Sequence, residues 1–340
     1  MATAATIDRT MSPRKVAFSA RLFACVAVSL AVFSAFLAGW APLGFSIVTV
    51  FLFAGPHNWI EARYFLGRLP GRWGKLSVFF LIGFGGVFAL TAGFASLPWL
   101  ARLAEFDEGR WLTASAIWNT ALVGWIVLLI QVRARQNPRR DWLWTVPVAL
   151  VLIALNWIKP LAWELGLVYL HPLVALWILD RELLRSRPAW RPAYHLCLAS
   201  LPVLLCLLWW RLGDAPSLPG HDALTERITR HAGAEILQGV STHLLVATHT
   251  FLEVLHYGVW LIAIPLVGLG GAPWSLGAVP LVRRTPEWRF VLVGCFFAGG
   301  VLVLILWGCF LADYPMTRDV YFTVAMLHVL AEVPFLLRAL

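Results

Sequence analysis

Charge is scarce in this chain. Of its 340 residues, 13% are Asp, Glu, Lys or Arg, about half of the ~25% that a soluble domain carries, which excludes an ordinary water-soluble globule. Cysteine shows no pattern: Cys25, Cys197, Cys206, Cys295 and Cys309 all fall in apolar blocks, with no CxxC and no ligand spacing, so they read as small buried apolar residues. Internal repeats, low-complexity segments and soluble-domain boundaries are missing, and residues 1–340 read as a single integral membrane domain. A cleavable signal peptide is not evident, because the first block, near Ala17 to Gly39, is too long for an h-region and reads as a first span. The HxxxH and HxxHH patterns of integral membrane desaturases and hydroxylases are absent as well, which argues against a di-iron desaturase.

What is present is apolar. Hydrophobic residues make up 60% of the chain and come in blocks of about 18 or more, long enough to cross a bilayer. The segments are continuous rather than alternating, against a β-barrel. Many of the 19 Trp lie near block ends, among them Trp40, Trp99, Trp111, Trp142, Trp163, Trp190 and Trp288, where interfacial belts place them. The fold class is therefore all-α, a polytopic transmembrane bundle of about ten spans, centred near residues 28, 55, 86, 121, 150, 171, 202, 256, 300 and 328. The net charge of +9 does not point to nucleic acid, since the basic residues lie between hydrophobic blocks without interleaved aromatics. They read as topology signals and anchors for anionic headgroups of membrane lipids.

Alternate connections carry those charges. Arg9, Arg14, Lys15 and Arg21 precede the first span; Arg63, Arg68, Arg72 and Lys75 follow the second; Arg133, Arg135, Arg139 and Arg140 follow the fourth; Arg181, Arg185, Arg187 and Arg191 follow the sixth; Arg283, Arg284 and Arg289 follow the eighth; Arg338 closes the chain. The intervening connections are neutral or acidic, and the longest of them is the polar loop 213–232. The positive-inside rule then places both termini in the cytoplasm, and a bacterial inner membrane is the expected location. The stretch from Glu235 to Gly268 is apolar and periodic over 34 residues. As one helix it would measure about 51 Å, so its first turns are expected to stand outside the bilayer or to form a short separate helix.

This topology gives depth. Spans two, six, eight and ten run the same way, with inner ends near Gly67, Arg181, Gly268 and Arg338; counting back gives 10, 10, 12 and 10 residues to His57, His171, His256 and His328. All four imidazoles therefore lie roughly 15–18 Å above the same edge, near the midplane. Ionisable side chains in hydrocarbon are costly, so four at one level mark a functional site, and imidazole suits a transition metal. Glu61 follows His57 by four residues, Glu332 follows His328 by four, and Glu253 lies four after His249 and three before His256. Each Glu thus shares a helix face with a histidine, as metal ligand, orienting partner or proton carrier. His249, seven residues before His256 on the same face, is a fifth metal-site candidate standing above the layer at an entrance. Asn58, Tyr64, Asn156, Tyr169 and Tyr257 are further polar candidates, while His195, His221 and His231 read as surface residues. A single membrane histidine is as often an interhelical hydrogen-bonding group as a ligand; four at one depth on parallel helices need a common cause.

Two segments resemble a known family. GPHNWIEARYF (55–65) is similar to the early Pro-His-Gly motif with a following acid in the Brp/Blh-type carotenoid dioxygenases, with Asn58 in the glycine position and Glu61 as the acid. HTFLEVLHYGVWLIAIP (249–265) is similar to that family's late histidine-bearing span. The resemblance implies a polytopic enzyme that cleaves a carotenoid with iron held by histidines, and would make His57, His171, His256 and His328 the ligands. The expected function is thus an iron-dependent oxygenase taking O₂ and a lipid-soluble substrate, such as a carotenoid or another isoprenoid or lipid. Copper, zinc or haem are the alternative cofactors. A proton-coupled transporter and a haem-binding or other non-catalytic membrane subunit are the competing readings.

Overall fold

The computed structural model describes residues 19–136, 141–220, 222–269 and 273–338; Arg9, Arg14, Lys15, Arg139, Arg140 and His221 lie outside the described residues. Those described form an all-α bundle without a strand. Nine helices are long and apolar enough to cross a membrane. They are α1 (Ala20–Trp40), α2 (Pro42–Arg68), α3 (Ser77–Leu103), α4 (Glu108–Gln136), α6 (Ala162–Ser186), α7 (Arg191–Leu212), α9 with its continuation (Thr242–Val267), α12 (Trp288–Ala312) and α13 (Tyr314–Arg338). The remaining expected span is α5 (Thr145–Ile158), which at 14 residues is about 21 Å long, short of a ~30 Å hydrocarbon core. It runs antiparallel to α4, tied at one end by Gln131 Nε2 to Thr145 Oγ1 (3.0 Å) and at the other by Asn119 Nδ2 to Asn156 Oδ1 (2.8 Å). Asn156 is accordingly a helix-pairing residue.

The stretch expected to run from Glu235 to Gly268 is divided. Gly233 and Gly239 adopt φ of 96° and 92°, a left-handed backbone that glycine reaches without steric cost and that ends a helix. Regular α9 therefore begins only at Thr242. The polar loop 213–232 is also not wholly irregular. It holds the short helix α8 (Ala223–His231), started by Asp222, whose carboxylate accepts from Thr225 N (2.8 Å) and Thr225 Oγ1 (2.7 Å), a capping arrangement worth about 1 kcal/mol. Ile228 of α8 packs on Leu245 and Val246, and Arg227 pairs with Asp319, so α8 lies across the end of the bundle. At the opposite end α10 (Ile264–Val267) closes the α9 span and α11 (Pro280–Arg284) precedes α12.

Burial shows which helix is central. In the α9 span 67% of the apolar window is buried, against 6% for α12. α9 packs against α1, α2, α6 and α7, and α13 against α3, α2 and α12. Without a hydrophobic force between lipid-embedded helices, close packing and polar contacts hold them. Trp125 Nε1 donates to the Ile82 carbonyl (3.0 Å), and Trp118 Nε1 to that of Leu90 (2.9 Å). The indole of Trp125 lies over Gly86, where an added Cβ would come within 1.9 Å of it.

Candidate metal centre

The four site-bearing helices meet at the centre of the bundle. His57 on α2, His256 on α9, His328 on α13 and Glu61 on α2 each present a ligand atom, all within 4.8 Å of one another. His171 on α6 closes the ring: its imidazole lies 4.7 Å from that of His256 and 5.1 Å from that of His328, centroid to centroid. Its Nε2 stands 3.2 Å from His328 Nε2. An ion holding nitrogens at about 2.1 Å separates neighbouring ligands by about 3.0–3.4 Å and opposite ones by about 4.2 Å. The cluster is within a few tenths of an ångström of that scale.

Local bonds set the ring orientations. His57 follows Pro56, which leaves α2 one backbone hydrogen bond short, and His57 Nδ1 donates to the Phe53 carbonyl at 2.9 Å. A carbonyl only accepts, so the proton sits on Nδ1 and the Nε2 lone pair is free. On α6, His171 Nδ1 lies 3.3 Å from Glu332 Oε2; a carboxylate in that place fixes the ring and raises the basicity of the far nitrogen. The sequence places Glu61 and Glu332 alike, each four residues after a histidine. The fold uses them differently, Glu61 within the ligand group and Glu332 against His171 from the neighbouring helix.

The group is buried and unsatisfied. His57, Glu61 and Glu332 are each 1% exposed and His256 3%. His57 Nε2, both oxygens of Glu61, both nitrogens of His256, His328 Nδ1 and Glu332 Oε1 make no hydrogen bond. Buried polar atoms in native proteins are nearly always partnered. Neutral imidazoles and carboxylates at one point are the partners a cation would have, and the two Glu charges would balance a divalent ion.

Two expected site residues stand apart. His249, two turns or about 10 Å up α9, is in ring contact with His231 (5.0 Å) and Tyr169 (6.3 Å) rather than with the histidine layer. Glu253 Oε1 accepts from Tyr257 OH at 2.8 Å and its Oε2 is unpartnered. Tyr257 connects this upper group to the lower one, its ring 4.3 Å from that of His57. His231 was expected on the surface; instead it is half-buried, its ring 4.3 Å from that of Phe322, because α8 folds over the bundle end. Tyr64 bonds Glu182 (2.9 Å) and Tyr169 bonds the Ala232 carbonyl (2.7 Å), both away from the centre, while Asn58 Oδ1 is buried without a partner. His195 is a surface group on Asp180 (2.8 Å). Sequence reading missed Tyr321, which adjoins Tyr257 and Asn58, although its place seven residues before His328 puts it on that helix face. It also missed Arg318, 3% exposed and lying over Phe322 at 4.6 Å, because Asp313 and Asp319 mark that stretch as a loop.

One element has no counterpart in the sequence reading. Directly after His256 and Gly258 the helix widens to a π-turn, Val259–Ala263. Pro265 has no N–H for the Leu261 carbonyl, and an inserted residue is one way a helix accommodates that loss; such bulges recur at functional sites.

No known protein family, curated protein or solved structure matches the chain.

Proposed function

We propose that this multi-pass membrane protein is an iron-dependent oxygenase acting on a lipid-soluble substrate, a carotenoid or another isoprenoid or lipid, in a bacterial inner membrane. The observation that carries the reading is the convergence of His57, His256, His328 and Glu61 within 4.8 Å in the interior. His171 completes the ring, and Glu332 holds His171. A bound iron would supply the activation of O₂, and the bilayer would deliver the apolar substrate. The chain's own part is to hold unprotonated imidazole nitrogens toward one point, to balance the ion's charge with carboxylates, and to keep water from the centre by packing. The likeness of residues 55–65 and 249–265 to the Brp/Blh-type dioxygenases supports carotenoid cleavage as the first activity to assay. Copper and zinc suit the same nitrogens. Haem fits less well, because axial histidines face each other across a macrocycle and these rings are in edge contact at 5.1–5.3 Å.

Elemental analysis of the detergent-purified protein tests the reading. About one iron per chain is expected, lost in His57→Ala and in His256→Ala. Unchanged metal content in both variants would falsify the ligand assignment.

A second reading, a proton-coupled transporter, draws on the buried polar groups above the centre: His249, Glu253, Arg318 and Tyr321. Substrate accumulation in proteoliposomes under a pH gradient, with no bound metal, would establish it in place of the first.

A further inference from the structure

At the arginine-rich end of the bundle, Arg63 is 2% exposed. Its Nη2 donates to the Ser275 carbonyl at 2.8 Å, while Nε and Nη1 have no acceptor. The guanidinium folds down its own helix over Gly67, where an added Cβ would stand 3.0 Å from Nη1. The charged side chain acting most on it is Arg68, another cation. The carboxylate nearest to Arg68 is already engaged: Glu182 accepts from Arg68 (2.6 Å), Arg185 (2.5 Å) and Tyr64 (2.9 Å). A buried, permanently charged group with two free donors and no counterion is costly unless an anion completes it.

The Ser275 carbonyl belongs to the wall of a cavity of about 500 Å³ between the 274–282 segment and the start of α12, lined also by Trp274, Val282, Arg289 and Val293. Two further arginines fix that wall, Arg283 Nε on the Gly277 carbonyl (3.0 Å) and Arg284 Nη1 on that of Gly71 (2.7 Å). No acidic side chain lines the cavity; Glu287 stands nearby but is exposed. From Val293 the apolar wall runs onto the bare face of α12, where Phe290 is 81% and Phe297 73% exposed. Guanidinium groups at one end and lipid-facing hydrocarbon at the other match one kind of molecule.

We propose that this cavity binds the phosphate of an anionic phospholipid, with Arg63 and Arg289 holding the headgroup and the acyl chains lying along α12. Arginine grips phosphate oxygens through paired N–H donors, and basic pockets between spans are where such headgroups lodge. The site is separate from the metal centre and does not depend on its chemistry.

The test is thermal unfolding of the detergent-purified full chain with added dioleoylphosphatidylglycerol, dioleoylphosphatidylcholine or inorganic phosphate. The glycerol lipid should raise the midpoint by a few degrees, as a ligand of the native state does, and more than the choline lipid does. Inorganic phosphate at equal concentration should do nothing. Arg289→Gln, at an exposed position where folding is not at stake, should remove at least half of the shift. Arg63→Gln should remove it, and Arg63→Lys should restore part. Metal content should stay at the wild-type value in Arg289→Gln. Equal shifts with both lipids, or a shift that Arg289→Gln leaves intact, overturns the site; an equal shift with inorganic phosphate overturns the lipid as its occupant.

Discussion

At the residue scale, the roles of the two late carboxylates can be separated. Glu332 touches His171 and lies outside the group of atoms within 4.8 Å, so Glu332→Gln keeps a hydrogen-bond acceptor but loses the charge that supports the imidazole. Metal affinity should fall about 10- to 100-fold, read by competition with a chelator, with the folded state intact. Glu61→Gln removes a charge from the ligand group itself and should cost more by the same measurement. Should the two variants bind metal equally well, the distinction drawn between these residues is wrong. His57 shows why residue type alone was insufficient: its usable nitrogen is decided by the Phe53 carbonyl four residues back.

At the scale of the element, packing between α3 and α4 makes a clean comparison. Gly85 and Gly86 are neighbours in α3, but a Cβ at Gly86 would strike the Trp125 indole at 1.9 Å, whereas one at Gly85 meets nothing within 4 Å. Gly86→Ala should therefore destabilise by about 1–3 kcal/mol through overpacking. Gly85→Ala should be neutral or stabilising by up to about 1 kcal/mol, since Ala is the better helix former. Unfolding in mixed micelles measures both, and a neutral Gly86→Ala would mean that the two helices do not meet as described. Helix α8 offers a pH test. Burial holds the His231 imidazole well below its ordinary value, with Arg318 and then His249 adding to the effect. Above about pH 6.5 the group is neutral whether α8 is docked or not. Below that pH the undocked form takes up a proton that the docked form refuses, so docking weakens as acid is added. Amide exchange across 223–231 should quicken below about pH 6.5, and less steeply in His231→Gln. A rate for α8 that is flat from pH 7.5 to about 5 would remove this account.

At the scale of the whole molecule, the site depends on four helices far apart in sequence. Residues 57, 171, 256 and 328 meet only because α9 is central and α2, α6 and α13 surround the same level of it. The depth argument anticipates the layer but not its circular order. It also puts His249 and Glu253 among the site residues, because shared helix face was its criterion. Two turns of helix carry His249 out of reach of the layer, and the Tyr257 hydroxyl takes Glu253.

What the sequence determined alone is what hydrophobicity and the rise per residue dictate: a helical membrane bundle, the order and centres of its spans, and the common depth of His57, His171, His256 and His328. These follow from local composition, since each apolar block must satisfy its own backbone in lipid. The tertiary structure alone decided which histidine nitrogen is free, which carboxylate faces which imidazole, the fold of α8 over the bundle end, the π-turn after His256, and the bare guanidinium of Arg63. All of these depend on which side chains from distant segments come within about 3 Å of one another, and helical periodicity carries no information about neighbours on other helices.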